Sequence, residues 1–294
     1  MELRVLRYFI EVVNQQNISK AANQLHLSQP TLSRQLMALE SELGVTLFER
    51  GHRQIKLTEE GYYLYDRARE ITSLADKTAA NLHAQTVISG TIDIGAGESI
   101  AIQPVMDVLG EIITAHPNIK VNLVSGDENF IHQHLDNGTI DFGIVMGPAS
   151  LNNYHSLRLP MKNRWGILMK KDHPLASHPE IIPEDLLNQQ LLISAQAKQQ
   201  DIFRSWAGSL IDQFNFSGYY NLIFNAQLLV RTGACIALSY EGLANLTGND
   251  GLIFRPLAPA IDDQNNLIWA KNHQLSTASQ LFIEQVTKKF KNKS

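Results

Sequence analysis

Apolar residues at Leu3, Leu6, Ile10 and Val13 recur at helical spacing and predict an amphipathic helix over residues 2–14. Asn17-Ile18-Ser19 interrupts the pattern. Ser19 is the expected N-cap of a short helix over 20–25, whose Ala21-Ala22 pair lets a neighbouring helix approach closely. His26-Leu27 is the turn that follows. Ser28 then caps a third helix with Pro30 in its first turn, where a missing N–H does no harm, and Gly44 is the expected left-handed stop. Leu32, Leu36, Leu39 and Leu43 line one face of this helix. Residues 45–57 read as a short hairpin with 51–54 at its tip. Thr58, followed by Glu59 and Glu60, is expected to cap a helix running to about 84. Along it, Leu64, Ala68, Ile71, Ala75, Thr78 and Leu82 are spaced as a heptad seam.

Beyond Ser89-Gly90, a hinge, the period changes. Strands over 91–95, 119–124 and 140–145 alternate with helices over 99–115 and 129–135. A second set has strands over 165–169, 191–193, 219–224 and 235–239 and helices over 199–213 and 226–232. A strand over 267–270 and a helix over 276–290 are expected to return to the first sheet. Strand-helix alternation of this kind implies parallel sheets flanked by helices, here in two lobes. The fold class is therefore an α+β multidomain chain. Residues 1–58 form a winged helix-turn-helix and 59–89 a linker helix with its hinge. Residues 90–294 form a two-lobed α/β domain, with lobe 1 over about 90–161 and 267–294 and lobe 2 over about 162–266.

The chemistry sits on the third helix. Opposite the leucines it presents Gln29, Thr31, Ser33, Arg34, Gln35 and Ala38, with the capping Ser28 and Pro30 at its start. Arg can bond both major-groove acceptors of guanine, Gln can bond adenine, and Thr and Ser suit phosphates or thymine methyls. Two helices joined by a tight turn, the second one polar, form a helix-turn-helix. The plain alternative is a small helical bundle with a solvated face. Arg50 and Arg53 suit a wing reaching phosphates, against an ordinary surface loop. The heptad seam suits pairing with a second copy, against a long helix lying on its own C-terminal domain.

Composition permits this reading and excludes others. A chain of 294 residues fits two or three domains, and 44% hydrophobic with 18% charged residues is a globular balance. Net charge is −4, with +2 over residues 1–58 and −6 beyond, so the asymmetry permits nucleic acid without demanding it. No apolar run reaches membrane-spanning length, and Arg4, Arg7 and Glu11 interrupt what would be a signal sequence. With Cys235 alone, no internal disulfide is possible, and a cytoplasmic location without a membrane partner is expected.

The run Ser19-Lys20-Ala21-Ala22-Asn23-Gln24-Leu25-His26-Leu27-Ser28-Gln29-Pro30-Thr31-Leu32-Ser33-Arg34-Gln35-Leu36 resembles the DNA-binding signature of LysR-type transcriptional regulators. So do Leu39-Glu40, Glu42-Leu43-Gly44, Leu47-Phe48-Glu49-Arg50 and Leu57-Thr58-Glu59-Glu60-Gly61, in that order. The resemblance implies double-stranded operator DNA as partner, with contacts from Gln29, Pro30, Thr31, Ser33 and Arg34 and from Arg50 and Arg53. It also implies self-association through the linker helix, as a homodimer or a homotetramer. Further along it rests more generically on His173-Pro174-Leu175 and on 229–238. There it implies a periplasmic-binding-protein-like domain that binds a small-molecule effector.

Ligands of open parallel sheets bind beyond the carboxyl ends of the strands. The candidate effector residues there are Gly97, Glu98, Ser99, Ile100, Glu128, Asn129, Met146, Gly147 and Ser194, with Phe203 nearby. Each has the plainer alternative of a helix cap or loop. Glu98, Asp127 and Glu128 cluster near the expected cleft, and such a ring repels a carboxylate. The effector is then neutral or cationic, or the acids face solvent, or Arg204 or Lys198 offsets them. No catalytic residue, metal site or cofactor is expected. Gly95-Ala96-Gly97 hints at a dinucleotide site, but Ile100 stands where its third glycine belongs. His132 and His134 lie two apart on a helix and point different ways. Two other classes stay in view: a small-molecule-binding protein whose N-terminal helices serve only assembly, and a Rossmann-like oxidoreductase.

Overall fold

A computed structural model describes residues 1–49, 55–83, 88–147, 151–199, 202–244 and 251–291, the side chains at 80–83, 198–199 and 291 excepted. The chain divides into two compact units, Met1–Gln85 and Thr86–Ser294. The helix expected to link them belongs to the first.

In the first unit, α1 (Leu3–Gln15) buries Val5, Leu6, Phe9 and Val12. That face is rotated from the Leu3-Leu6-Ile10-Val13 stripe, and Leu3 is exposed. The N-cap of α2 (Ile18–Gln24) is Asn17, not Ser19: the Asn17 Oδ1 accepts the Lys20 N–H at 2.9 Å. Both residues can cap, and the one a turn earlier captures the free amides. Helix α3 (Gln29–Leu43) starts on the Ser28 hydroxyl, which accepts the Thr31 N–H, and stops at Gly44 with φ +69°. Leu32, Leu36 and Leu39 are buried, whereas Leu43 is 38% exposed and does not complete the stripe. Strand β1 (Phe48–Glu49) pairs antiparallel with β2 (Lys56–Leu57). The Glu40 carboxylate fixes the entry to this wing by accepting the Leu47 N–H at 2.7 Å. Thr58 caps α4 (Glu59–His83) through a 3.0 Å bond from the Gly61 N–H. Leu64 and Ala68, the first two seam positions, are buried in this unit's own core. Arg7 pairs with Asp76, and Tyr65 donates to Asn14, tying α1 to α4.

The second unit is two lobes sharing strands. In lobe 1, β3 (Gly90–Ala96) lies between parallel β4 (Ile119–Ser125) and β5 (Phe142–Met146), with α5 (Gln103–Ala115) and α6 (Glu128–Asp136) as crossovers. The expected helix over 99–115 opens instead with a 3-10 turn, Ile100–Ile102, on a Ser99 cap. The next strand, β6 (Tyr154–Lys170), is 17 residues long and runs through both lobes. Lobe 2 has β7 (Gln190–Ser194), the short helices α7 (Ala195–Gln199) and α8 (Arg204–Ala207), β8 (Asn215–Tyr220), α9 (Ile223–Arg231), β9 (Ile236–Tyr240) and β10 (Leu252–Pro256). The chain returns along β11 (Asp262–Ala270), antiparallel to both β6 and β5, and ends in α10 (Thr277–Lys291). The strand order is β4-β3-β5-β11-β6-β9-β7-β8, with β10 also on β6.

Two further expectations are corrected here. The helix over 199–213 is broken at Gly208 into short pieces. The strand over 219–224 ends at Tyr220, and Phe224 lies on α9. Strand β10 and the first residues of β11 were not anticipated. Each lobe has its own apolar core, the first around Phe142 and Phe282, the second around Trp165, Ile167 and Leu238.

Candidate functional site

The outer face of α3 carries the first constellation. Gln29, Pro30, Thr31 and Arg34 are exposed, and Ser33 and Gln35 are half-buried. The Gln29 amide donates to the Ser33 hydroxyl at 2.8 Å, and the Ser28 and Thr31 hydroxyls bond each other at 2.8 Å. The face is thus a set of short polar groups held in register by their own helix, with one long cation, Arg34, projecting from it. Met37, 51% exposed on the same helix, was not singled out from the sequence. Arg50 and Arg53 lie outside the described residues.

The second constellation is the cleft between the lobes, a cavity of about 310 Å³. Of the candidate effector residues, Gly97, Glu98, Met146 and Ser194 line it. Ser99 and Ile100 line an adjoining pocket on the far side of Gly97 and Glu98. Glu128, Asn129 and Gly147 line neither. Phe203 is displaced from the role proposed for it: it is 1% exposed, packed against Trp165 with ring centroids 4.9 Å apart, and is a core residue of lobe 2. Ser99 is also more structural than anticipated. Its hydroxyl accepts the Ala101 N–H at 2.9 Å and bonds the Asn163 side chain on β6.

Sequence reasoning missed the aromatic wall. Trp165, Tyr220 and Tyr240 from lobe 2 and Phe130 from lobe 1 all line the cavity. Trp165 Nε1–H and the Tyr240 hydroxyl both donate to the same Asp263 oxygen at 2.7 Å. The Tyr220 hydroxyl donates to the Leu238 carbonyl at 2.6 Å. Burial holds both tyrosine hydroxyls well above their ordinary values, with Asp263 adding to the effect at Tyr240. They therefore remain protonated donors, committed to the protein. Beside Asp263, Asn163 donates to Asn265 at 2.7 Å, joining β6 to β11 where both cross between lobes. Only their long separation in sequence hid this network.

Both cleft acids have backbone partners. The Glu98 carboxylate reaches across the cleft and accepts the Ile223 N–H, at the start of α9, at 2.8 Å. Asp127 caps α6 by accepting the Phe130 N–H at 2.8 Å. No Lys, Arg or His is among the described residues lining the cavity. Arg204 pairs with Asp212 and is not among the lining residues, and the Lys198 side chain lies outside those described.

A winged helix-turn-helix followed by a two-lobed domain with a cleft defines a transcription regulator with a sensing domain. Residues 3–62 match the family of bacterial regulatory helix-turn-helix proteins of the lysR type, and residues 85–291 match the LysR substrate binding domain. The chain belongs to the LysR family. It is 33% identical to the regulator BenM of Acinetobacter baylyi over 196 residues, 66% of this chain and 64% of BenM. It is 26% identical to the regulator YvbU of Bacillus subtilis over 99% of both chains. The crystal structure of full-length CbnR in complex with its target DNA has the same fold, with TM-score 0.76, 22% identity and 98% of this chain covered against 99% of that one.

Proposed function

We propose that this chain regulates transcription in the cytoplasm by binding double-stranded operator DNA through α3, under the control of a small effector in the cleft, and without catalysis. The observation that carries the reading is α3 itself. Its leucine face is spent on the core, and its free face is a compact set of Gln, Thr, Ser and Arg side chains around exposed Arg34. That is the inventory for base and phosphate contacts in a major groove. Ser28, Gln29, Pro30, Thr31, Ser33, Arg34 and Gln35 are the proposed contact set, with Arg50 and Arg53 at the wing.

Self-association is part of the proposal. Seam position Ile71 of α4 remains exposed, with Leu74, outside the seam, exposed near it, so a shortened apolar stripe is still free to pair with a second copy after Leu64 and Ala68 are spent internally. Exposed Ile113, Leu123 and Leu228 in the second unit suit a further pairing. A dimer or tetramer presents recognition helices to successive major grooves.

The effector is neutral or cationic. Two like charges about 4 Å apart near a protein surface repel by roughly 4 kcal/mol, about a thousandfold in affinity. A carboxylate beside Glu98 meets that repulsion with no cation among the described lining residues to offset it. The test is fluorescence anisotropy of the full chain against DNA from upstream of its own coding sequence. Saturable binding that outcompetes random DNA supports the reading, and binding no tighter than to random DNA overturns it.

A further inference from the structure

The cleft has features that discriminate among ligands. The N-terminus of α9, where an anionic ligand would find free N–H groups and a positive dipole end, is already occupied at the Ile223 N–H by the chain's own Glu98. The polar tips of the aromatic wall are committed to Asp263 and to a backbone carbonyl, so Trp165, Tyr220 and Tyr240 offer the cavity ring surface rather than free donors. Trp165 and Tyr240 lie 4.2 Å apart, centroid to centroid, with their ring planes tilted by 48°, and both line the cavity. Opposite, Phe130 is drawn in by the absence of a side chain at Gly126, where a Cβ would stand 2.3 Å from the ring. Asp127, exposed to solvent, is a second acidic residue among those lining the cavity. Aromatic rings around carboxylates, with no cation among the described lining residues, attract a cation on an apolar body and reject an anion.

We propose that the cleft binds a small positively charged amine, its ammonium between Glu98 and Asp127 and its apolar body against the Trp165, Tyr240 and Phe130 rings. This rests on the effector reading above and names the chemical class. The ammonium would offer Glu98 a second partner without requiring it to release Ile223, since one oxygen makes that bond. The ligand would thereby join lobe 1 to the start of α9. A cavity of about 310 Å³ suits a molecule of modest size.

The test is isothermal titration calorimetry of the full chain with matched sets: phenethylamine, 2-phenylethanol and 3-phenylpropanoate, and hexylamine, hexanol and hexanoate. Within at least one set the amine is expected to bind tenfold or more tighter than the alcohol, with the carboxylate weakest. Glu98→Gln and Asp127→Asn keep the acceptor oxygens that bond Ile223 and Phe130. Their combination is expected to weaken the amine tenfold or more and to leave the alcohol within threefold. A carboxylate or alcohol that binds as tightly as its amine overturns the proposal. So does an amine affinity that the double variant leaves unchanged, or six probes that all fail to bind. Operator binding without ligand is measured on the same protein, so loss of the amine result alone leaves the regulator reading standing.

Discussion

Replacing Asp263 by alanine removes the acceptor of two buried donors at once. The carboxylate is 6% exposed and takes Trp165 Nε1–H and the Tyr240 hydroxyl at 2.7 Å each. A buried donor stripped of its partner costs about 1–3 kcal/mol, so two cost roughly 2–6 kcal/mol. Relief of a desolvated charge offsets part of this, leaving about 3 kcal/mol. Against a domain stability of about 5–15 kcal/mol, that is a large fraction. The readout is clean, because all three tryptophans, Trp165, Trp206 and Trp269, lie in the second unit. Urea unfolding followed by tryptophan fluorescence therefore reports this unit alone. With a slope of roughly 3 kcal/mol per molar, the midpoint should fall by about 1 M. Asp263→Asn retains an acceptor oxygen and should lose less than half as much. A midpoint within 0.2 M of the parent (roughly 0.6 kcal/mol at that slope) in the alanine variant would refute the idea that these bonds fix the aromatic wall.

Arg34→Ala should weaken operator binding by about 1–3 kcal/mol and relax base preference at one position, read by anisotropy across operator variants. Unchanged affinity would put the recognition face elsewhere. Glu40→Ala frees the Leu47 N–H from its 2.7 Å bond. It should cost the first unit about 1–2 kcal/mol, lowering its circular-dichroism melt while the tryptophan transition stays in place. Gly126→Ala places a methyl 2.3 Å from the Phe130 ring and forces the ring to move. Losing one aromatic contact of about 0.5–1.5 kcal/mol should weaken phenethylamine by roughly three- to tenfold, by calorimetry, with ligand-free DNA binding unaltered.

Local chemistry made some of this fold legible. Ser28, Pro30 and Gly44 bracket α3 in the sequence because caps act within a single turn. The signature through Gly61 carried the family for the same reason: its residues are contiguous. Periodicity told less about partners. Leu64 and Ala68 have seam spacing, yet α1 is what covers them, and spacing cannot say which apolar surface a stripe will meet. The front half of β6 was hidden by Pro160 and its polar neighbours. Proline is tolerated there because the β6–β11 register shifts between Gln264 and Asn266, opposite that stretch. The cleft was half legible. Strand ends pointed to Gly97, Glu98, Met146 and Ser194, while the aromatic wall comes from residues up to 110 positions apart (Phe130 to Tyr240) that only the fold brings together. Phe203 was misplaced because an aromatic near a cleft and one beneath it look alike in sequence.

The two strands that cross between the lobes also organise the cavity. Asn163 and Trp165 sit on β6, Asp263 and Asn265 on β11, and their side chains bond across the strand pair while Trp165 lines the cleft. A change in lobe angle must be absorbed by φ and ψ of these strands, and so acts on the bonds that hold Trp165 and Tyr240. Conversely, a ligand pressing on those rings and on Glu98 acts on the hinge and on the start of α9 together. An effector shifts the population of lobe angles only as far as it binds one angle better than another. Because Trp165 belongs both to the wall and to the hinge bonds, and Glu98 both to the lining and to the bond across the cleft, a ligand that contacts them would draw its differential affinity from the contacts that select it. Substitutions at Asp263 or Asn265 should therefore alter the response to ligand even though neither residue lines the cavity.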